Sequence, residues 1–355
     1  MTALRVTGVD PTTGESVAHW IAGGVYVDSP VRGAREVAGF VLPGFADAHC
    51  HIGYCIDGVT DLAAAEQQAR LNLASGVTVI RDCGSPLDTR PLVDRADLPV
   101  LIRAGRHIAR PKRYIRGLGI DLEDPTELVA EVGRQAEYGD GWVKLVGDWI
   151  DRDRGDLAPL WTDAVLVDAI ALAHEKGARV TAHVFGEDAI PALLAAGIDC
   201  LEHATGLTSD TIETVRASGV HIVPTLINIE NFPSFAAAAG EKYPTYAKHM
   251  RDLYSRADAT IAAVVEAGIA VHAGTDAGGY IEHGRIVDEV TSLLRVGMTP
   301  TQALKAATWD ARQWLGVADP ELGGSADLVV YASDPRIDWD TLREPLAVIR
   351  AGVIS

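Results

Sequence analysis

The segment VLPGFADAHCHIGY places two histidines, His49 and His51, one residue apart at the end of an apolar run. In an extended strand, residues i and i+2 point to the same face, so both imidazoles can be directed at one point while Cys50 faces away. Two imidazoles directed at one point suit a divalent metal ion. An HxH pair alone is a weak signal, and the prediction depends on further ligand-type residues along the chain.

Four further residues that suit metal binding or proton transfer follow at near-regular intervals. They are Lys144 in WVKLVGD, His183 in TAHVFG, His203 in LEHATG and Asp276 in AGTDAGG. Each closes a short apolar or β-branched run that precedes a helical stretch, an alternation typical of parallel βα units. In a (β/α)8 barrel, the carboxyl ends of the strands form the face that carries the active site. We therefore expect these side chains to meet at that face.

The predicted fold class is α/β, a (β/α)8 TIM barrel with a small discontinuous β-sandwich domain. The chain has 355 residues, which leaves roughly a hundred beyond the about 250 of a typical barrel. Residues 1–43 and 321–355 have the pattern of short strands and turns, and we expect them to pair in the small domain. Residues 44–320 then form the barrel. Its strands are expected near residues 43–51, 77–83, 99–105, 142–147, 179–184, 199–204, 220–226 and 269–275.

Composition limits the partners. The formal net charge of -18 argues against nucleic acid or an anionic membrane, because those partners require a cationic surface. Four cysteines without CxxC spacing favour a reduced compartment over a disulfide framework; they are Cys50, Cys55, Cys83 and Cys200. We found no signal-peptide pattern and no uncharged apolar stretch of about 18 residues. The expectation is a soluble cytoplasmic homo-oligomer that acts on a small molecule.

Taken together, these motifs resemble the amidohydrolase superfamily. The tail GMTPTQALKAATWDARQWLG, followed by GGSADLVVYASDP, is similar to the closing segment of its imidazolonepropionase-like and prolidase-like branch. The resemblance spans nearly the whole chain, and six ligand-type residues occur in the right order. It implies a hydrolase with a binuclear metal centre.

The resemblance also implies a role for each ligand. One metal would be held by His49, His51 and Asp276, the other by His183 and His203, with a carbamate on Lys144 bridging them. A lysine ammonium has no lone pair and cannot be a ligand, whereas the carbamate formed with CO2 supplies two anionic oxygens. Zinc is the default metal for such a His-rich site, and manganese, cobalt, nickel and iron suit similar ligands.

The implied reaction is hydrolysis of an amide C–N bond by a hydroxide that bridges the two metals, with Asp276 as the proton shuttle. Substrates of this branch include dipeptides, N-acyl amino acids and cyclic amides. Three alternatives stay open. A lactonase or phosphotriesterase would share all six ligands, and a mononuclear deaminase would lack the need for Lys144. A non-enzymatic scaffold is disfavoured because every ligand-type residue is intact.

Loops that follow barrel strands supply candidate substrate-binding residues. The segment RHIARPKRYIRG contributes Arg113, Tyr114 and Arg116, and GGYIEHGR contributes Tyr280 and His283. The segment TLINIENFPSF adds Asn228 and Phe232 as candidate lining residues. Grouped bases in an acidic chain favour a substrate with a free carboxylate held by an arginine, although a solvated charged surface is the alternative interpretation.

Overall fold

Strands and helices alternate through the middle of the chain in the computed structural model, which describes residues 2–317 and 321–355. The strands are β1 (Leu4–Val9), β2 (Ser16–Ala22), β3 (Val25–Val27), β4 (Arg35–Pro43), β5 (Phe45–Cys50), β6 (Tyr54–Cys55), β7 (Gly58–Val59), β8 (Val77–Asp82), β9 (Val100–Arg103), β10 (Ile108–Ala109), β11 (Ile120–Asp121), β12 (Trp142–Val146), β13 (Asp148–Asp151), β14 (Asp156–Pro159), β15 (Arg179–Val184), β16 (Cys200–His203), β17 (His221–Val223), β18 (Leu328–Tyr331), β19 (Ala347–Arg350) and β20 (Val353–Ile354). The helices are α1 (Leu62–Ala74), α2 (Leu128–Tyr138), α3 (Asp163–Glu175), α4 (Ile190–Ala195), α5 (Ser209–Ser218), α6 (Leu226–Ile229), α7 (Phe232–Ala239), α8 (Pro244–Glu266), α9 (Ile286–Arg295), α10 (Pro300–Ala307) and α11 (Trp309–Trp314). Short 3-10 turns span Arg90–Leu92, Pro125–Glu127 and Trp339–Arg343.

The central strands form two parallel sheets. One has the order β11-β10-β12-β15-β16-β17 and the other the order β5-β8-β9. Parallel bridges from Val271 to Ile222 and from Ala277 to Cys50 connect the free edges of the two sheets through residues 271–277. Within the described ranges, no strand pairing joins β9 to β10, so a closed eight-stranded barrel stays a prediction.

Seven of the eight predicted barrel strands are confirmed to within a few residues, and the eighth is wrong. Residues 269–275 form no strand and make one isolated bridge, at Val271, and further bridges follow at Ala277. The backbone leaves the extended conformation here because Asp276 has φ 57°. Gly274 approaches β5 so closely that a Cβ on it would lie 2.7 Å from the Cβ of His49.

The helices cover the parallel strands with one apolar face each. In α3 the buried residues are Leu166, Ala169, Ile170 and Ala173, which is the i, i+3, i+4, i+7 spacing of one helical face. The helix α1 begins where the Asp61 side chain accepts a hydrogen bond from the backbone N–H of Ala64. The strands β5, β8, β12 and β16 are buried along their whole length. Polar residues within these strands therefore lie in the protein interior.

Both chain ends pair in one mixed sheet of order β20-β19-β18-β4-β1-β2-β3. Alternate residues of β18 enter different cores: Val329 joins the main core, whereas Leu328 and Val330 join a smaller cluster with Leu4 and Val6. A two-layered sandwich and the domain boundaries at residues 43 and 320 stay predictions, and residues 318–320 lie outside the described residues. Within the described parts of the chain, no helix has the length and hydrophobicity required to cross a membrane.

Candidate functional site

The six predicted metal ligands lie at or near the carboxyl ends of the parallel strands. They are His49 in β5, His51 just after it, Lys144 in β12, His183 in β15, His203 at the end of β16 and Asp276 in the irregular segment that follows α8. Five of them are buried, and the side chain of Asp276 is 18% exposed. The face of the molecule above Asp276 is therefore the side from which solvent and ligands reach the group.

Two histidines and the aspartate form the first group. The Nε2 atoms of His49 and His51 are 3.3 Å apart, and Asp276 Oδ1 lies 3.1 Å from the first and 3.0 Å from the second. The other ring nitrogen of each histidine has its own acceptor: His49 Nδ1 lies 2.7 Å from Glu202 Oε2, and His51 Nδ1 lies 2.9 Å from the carbonyl oxygen of Gly84. Because these partners accept, each Nδ1 carries a hydrogen, and in the neutral ring each Nε2 then keeps its lone pair.

His183 and His203 form the second group. Nδ1 of His183 lies 2.9 Å from Nε2 of His203, whose Nδ1 lies 2.7 Å from Thr225 Oγ1. Burial lowers the pKa of His203 to about 3 and takes the pKa of His183 well below its ordinary value. Both rings are therefore neutral, which is the form that binds a metal ion.

The donor set fits divalent cations. Nitrogen lone pairs and a carboxylate oxygen face one another at hydrogen-bond distance, and such atoms repel unless a proton or a cation lies between them. The ligand atoms of His49, His203 and Asp276 all lie within 4.8 Å of one another, which brings the two groups together. Imidazole and carboxylate donors of this kind suit zinc and similar metals.

Lys144 is fully buried, and its Nζ has no hydrogen-bond partner among the described residues. A buried ammonium without a partner is expensive, by several kcal/mol in effective desolvation. A carbamate at Nζ that is paired with bound cations would not leave an isolated buried charge. The position is therefore unusual for an unmodified lysine in a structural role.

The backbone around the ligands is strained. Four non-glycine residues among the ligands or next to them adopt positive φ: His203 (65°), Ala204 (56°), Thr225 (48°) and Asp276 (57°). Each such residue costs roughly 1–3 kcal/mol, and residues of this kind cluster at functional sites. Part of the support comes from Asp47, which accepts hydrogen bonds from the backbone and the hydroxyl of Thr275 at 3.0 and 2.6 Å.

A buried ion pair lies directly behind His49. Arg81 Nη2 donates to Glu202 Oε1 at 2.6 Å, and Arg81 Nε donates to the carbonyl of Ala48 at 2.6 Å. The hydroxyl of Thr181 also donates to Glu202. Burial opposes ionisation of Glu202, but Arg81 holds the pKa of this carboxyl well below its ordinary value. Our sequence reasoning missed this pair, although charged residues inside the apolar runs VTVIRD and DCLEHA are a signal of buried partners.

Asn228 contacts the remaining oxygen of the aspartate. Its Nδ2 donates to Asp276 Oδ2 at 2.7 Å, so the carboxylate is held from both ends. Burial raises the pKa of Asp276, but His49 and the hydrogen bonds to the histidines bring it well below the ordinary value. The carboxylate is therefore ionised.

A cavity of about 220 Å³ opens beside the ligands. Its lining residues are His51, Tyr54, Tyr114, Ile115, Leu118, Trp149, His183, Phe185, Asn228, Phe235, Ala238, Tyr246, Asp276, Gly279 and Tyr280. Of the predicted substrate-binding residues, Tyr114 and Tyr280 line this cavity. Most of the other aromatic residues were not predicted, because they come from β13, α7, α8 and loops far apart in sequence.

The other three predicted substrate-binding residues lie elsewhere. Arg113 donates to Asp151 Oδ2 at 2.9 Å and to the carbonyl of Ala158 at 2.8 Å, so its guanidinium secures the β13–β14 hairpin. Arg116 is exposed and does not line the cavity. His283 is largely buried, 3.1 Å from Asn72 Nδ2, and burial lowers its pKa to about 4. The structure does not bring these three groups to the cavity.

Comparison with known families defines the class of the protein. Residues 40–354 match the amidohydrolase family, and the chain therefore belongs to that family. The uncharacterised protein Rv2915c of Mycobacterium tuberculosis is 56% identical over 351 residues, which are 98% of this chain and 95% of that protein.

Solved structures show the same fold. A putative prolidase from Bifidobacterium longum superposes with a TM-score of 0.85 at 23% identity, covering the whole of this chain and 94% of that one. A Xaa-Pro dipeptidase with bound methionine has a TM-score of 0.83 at 21% identity and covers 100% and 99% of the two chains. The predicted amidohydrolase superfamily is confirmed by the family match, and the solved structures share an α/β, TIM-barrel-like fold with this chain.

Proposed function

We propose that the protein is a metal-dependent hydrolase that cleaves the amide C–N bond of a small molecule. The observation that carries the proposal is the convergence of His49 Nε2, His51 Nε2 and Asp276 Oδ1 within 3.3 Å of one another. Membership of the amidohydrolase family supports it. The similarity to a prolidase and a Xaa-Pro dipeptidase, both named for cleaving bonds to proline, supports the amide in particular.

The proposed centre holds two divalent ions, most simply zinc. His49, His51 and Asp276 would hold one, and His183 and His203 would hold the other. A carbamate on Lys144, formed from its amine and CO2 with release of a proton, would be shared by both. The buried and unpartnered Nζ of Lys144 supports this modification.

When bound, divalent ions would polarise the scissile carbonyl and lower the pKa of a water molecule. Asp276 supplies the proton transfer. Its Oδ1 faces the two histidines, which leaves Oδ2 to accept a proton from the water and pass it to the leaving nitrogen, a role typically worth about 10²–10⁴ in rate. Asn228 keeps Oδ2 directed toward the cavity.

Metal analysis combined with a substrate panel tests the proposal. Protein loaded with zinc should contain close to two ions per chain and should hydrolyse at least one class among N-acyl amines, dipeptides and cyclic imides. His183→Ala should lose both metal and activity, whereas His174→Ala, which removes a surface histidine paired with Asp199, should lose neither. One ion per chain with full activity would refute the binuclear centre. Turnover of lactones or phosphotriesters with no turnover of amides would refute the amide assignment.

A further inference from the structure

The cavity beside the candidate metal ligands is strongly enriched in aromatic side chains. Seven of its fifteen lining residues are aromatic, in a chain that is 6% aromatic and in which about one would be expected by composition. They are Tyr54, Tyr114, Trp149, Phe185, Phe235, Tyr246 and Tyr280. One third of the 21 aromatic residues of the chain, taken as 7 Trp, 9 Tyr and 5 Phe, therefore surrounds one small cavity.

These rings are arranged in two pairs at different depths. Tyr114 and Trp149 meet edge to face at 4.8 Å, and each lies within 5.4 Å of the ring of His183. Phe235 and Tyr280 meet edge to face at 5.0 Å, and Tyr280 is 59% exposed. One pair therefore lines the wall next to the candidate metal ligands, and the other lies toward solvent. Aromatic surfaces in such offset arrangements bind a further planar ring favourably.

Charge in the cavity points in the same direction. None of the fifteen lining residues is a lysine or an arginine. Arg113, one of the predicted basic residues, is held by the β13–β14 hairpin through Asp151 and backbone carbonyls. A substrate carboxylate would find no lysine or arginine among these lining residues.

We infer that the substrate is an uncharged amide with an aromatic ring beside the scissile bond, and not a dipeptide or N-acyl amino acid with a free carboxylate. The amide part of this inference rests on the proposed function. The preference for a neutral ring rests on the lining residues alone. Recognition is by stacking on the wall formed by Tyr114 and Trp149, with Phe235 and Tyr280 covering the outer part of the ring.

Three matched probes distinguish the effect of an aromatic ring on binding from the effect of a carboxylate. N-acetylphenylalanine amide carries a ring and no charge, N-acetylphenylalanine adds a carboxylate, and N-acetylglycine amide removes the ring. Binding is measured by calorimetry on the metal-free wild-type protein, so that turnover does not interfere. We expect the first probe to bind at least tenfold more tightly than either of the others. Equal or tighter binding of the acid, or of the ring-free amide, would overturn the inference.

Substitutions of Trp149 then show where the aromatic ring of the probe binds. Trp149→Ala, also metal-free, should weaken binding of N-acetylphenylalanine amide at least tenfold, without changing the binding of N-acetylglycine amide, and Trp149→Phe should retain most of the affinity. The control is Tyr254→Ala, which removes a surface tyrosine of α8 outside the cavity and should change neither. Thermal unfolding curves verify that all variants are folded. Unchanged binding of N-acetylphenylalanine amide to Trp149→Ala would show that its ring does not stack on the wall that includes Trp149.

The outcomes for the two proposals differ. Tight binding of the neutral ring probe, with no amide of any kind hydrolysed by the wild-type protein, would refute the proposed function and support the aromatic preference. Hydrolysis of amides with kcat/KM independent of the ring would support the proposed function and overturn the aromatic preference.

Discussion

Replacing Glu202 by glutamine should lower the metal affinity of the centre, with a smaller loss of fold stability than replacement by alanine. Glu202 accepts hydrogen bonds from Arg81 and Thr181 at Oε1 and faces His49 Nδ1 through Oε2. Glutamine has the same shape but only one acceptor oxygen. That oxygen must face Arg81 and Thr181, because both of them donate. The amide NH2 then faces His49, which forces the hydrogen of the imidazole onto Nε2, the atom that must bind metal.

The expected size of each effect follows from these contacts. Loss of an outer partner of a metal-binding histidine typically costs about 10- to 100-fold in metal affinity. Glu202→Gln keeps an acceptor for Arg81, whereas Glu202→Ala leaves a fully buried guanidinium without its carboxylate partner, although Nε still donates to the carbonyl of Ala48. Breaking a buried pair in this way costs about 3–5 kcal/mol. The alanine variant should therefore be much less stable, and the glutamine variant should lose metal with a smaller loss of stability.

Two measurements check this prediction. Zinc affinity is measured by competition with a chelator, and the free energy of unfolding of the metal-free protein is measured by urea denaturation. The control is Glu213→Gln, which breaks an exposed ion pair with Arg216 and should change stability by less than about 1 kcal/mol and zinc affinity not at all. If Glu202→Gln binds zinc as tightly as the wild type, the carboxylate does not set the tautomer of His49 and the reasoning is refuted.

Three further predictions concern the centre and Glu289, a buried residue that accepts hydrogen bonds from the backbone N–H groups of Leu226 and Ile227. Lys144→Ala should reduce the metal content and remove most activity, with partial recovery in acetate or propionate; full activity without rescue would make Lys144 a structural lysine. Asp276→Asn should lower kcat by about two to three orders of magnitude, on the scale of a lost proton transfer, without unfolding the protein, and a near-normal kcat would assign the proton transfer elsewhere. Burial raises the pKa of Glu289 to about 8 from an ordinary 4.5, so protonation of Glu289 should stabilise the fold fully below pH 4.5 and progressively less up to pH 8. In Glu289→Gln, the free energy of unfolding measured in urea should vary less with pH in that range. An unchanged pH dependence would show that Glu289 is not the titrating group.

The sequence was sufficient to predict the strands that carry the ligands. His49, His183 and His203 each end a continuous apolar run, and a run of this length bounded by turn residues indicates a buried parallel strand. Once the strands are parallel, their carboxyl ends must meet, so the grouping of the histidines required no knowledge of longer-range packing. The family resemblance then supplied roles for the same residues.

The lining of the cavity was not accessible to this reasoning. Trp149, Phe235 and Tyr246 come from a hairpin and two helices that have no regular spacing relative to the strands, and only the folded structure brings them together. Arg113 was predicted to contact substrate, and it lies outside the cavity for a related reason. A basic residue in an acidic chain suggests an anionic ligand, but the acceptors that Arg113 meets are Asp151 and backbone carbonyls of the neighbouring hairpin.

The eighth predicted strand shows why a departure from regular structure can be part of a site. A regular strand over residues 269–275 would continue in the extended conformation and direct Asp276 along the sheet. In the structure, Gly274 passes close to His49, and the backbone turns into the left-handed region at Asp276. Asp276 N donates to the carbonyl of His49 at 2.7 Å, and Oδ1 thereby comes within 3.1 Å of both histidine Nε2 atoms. The strain at Asp276 is thus tied to the one contact on which the candidate metal centre most depends.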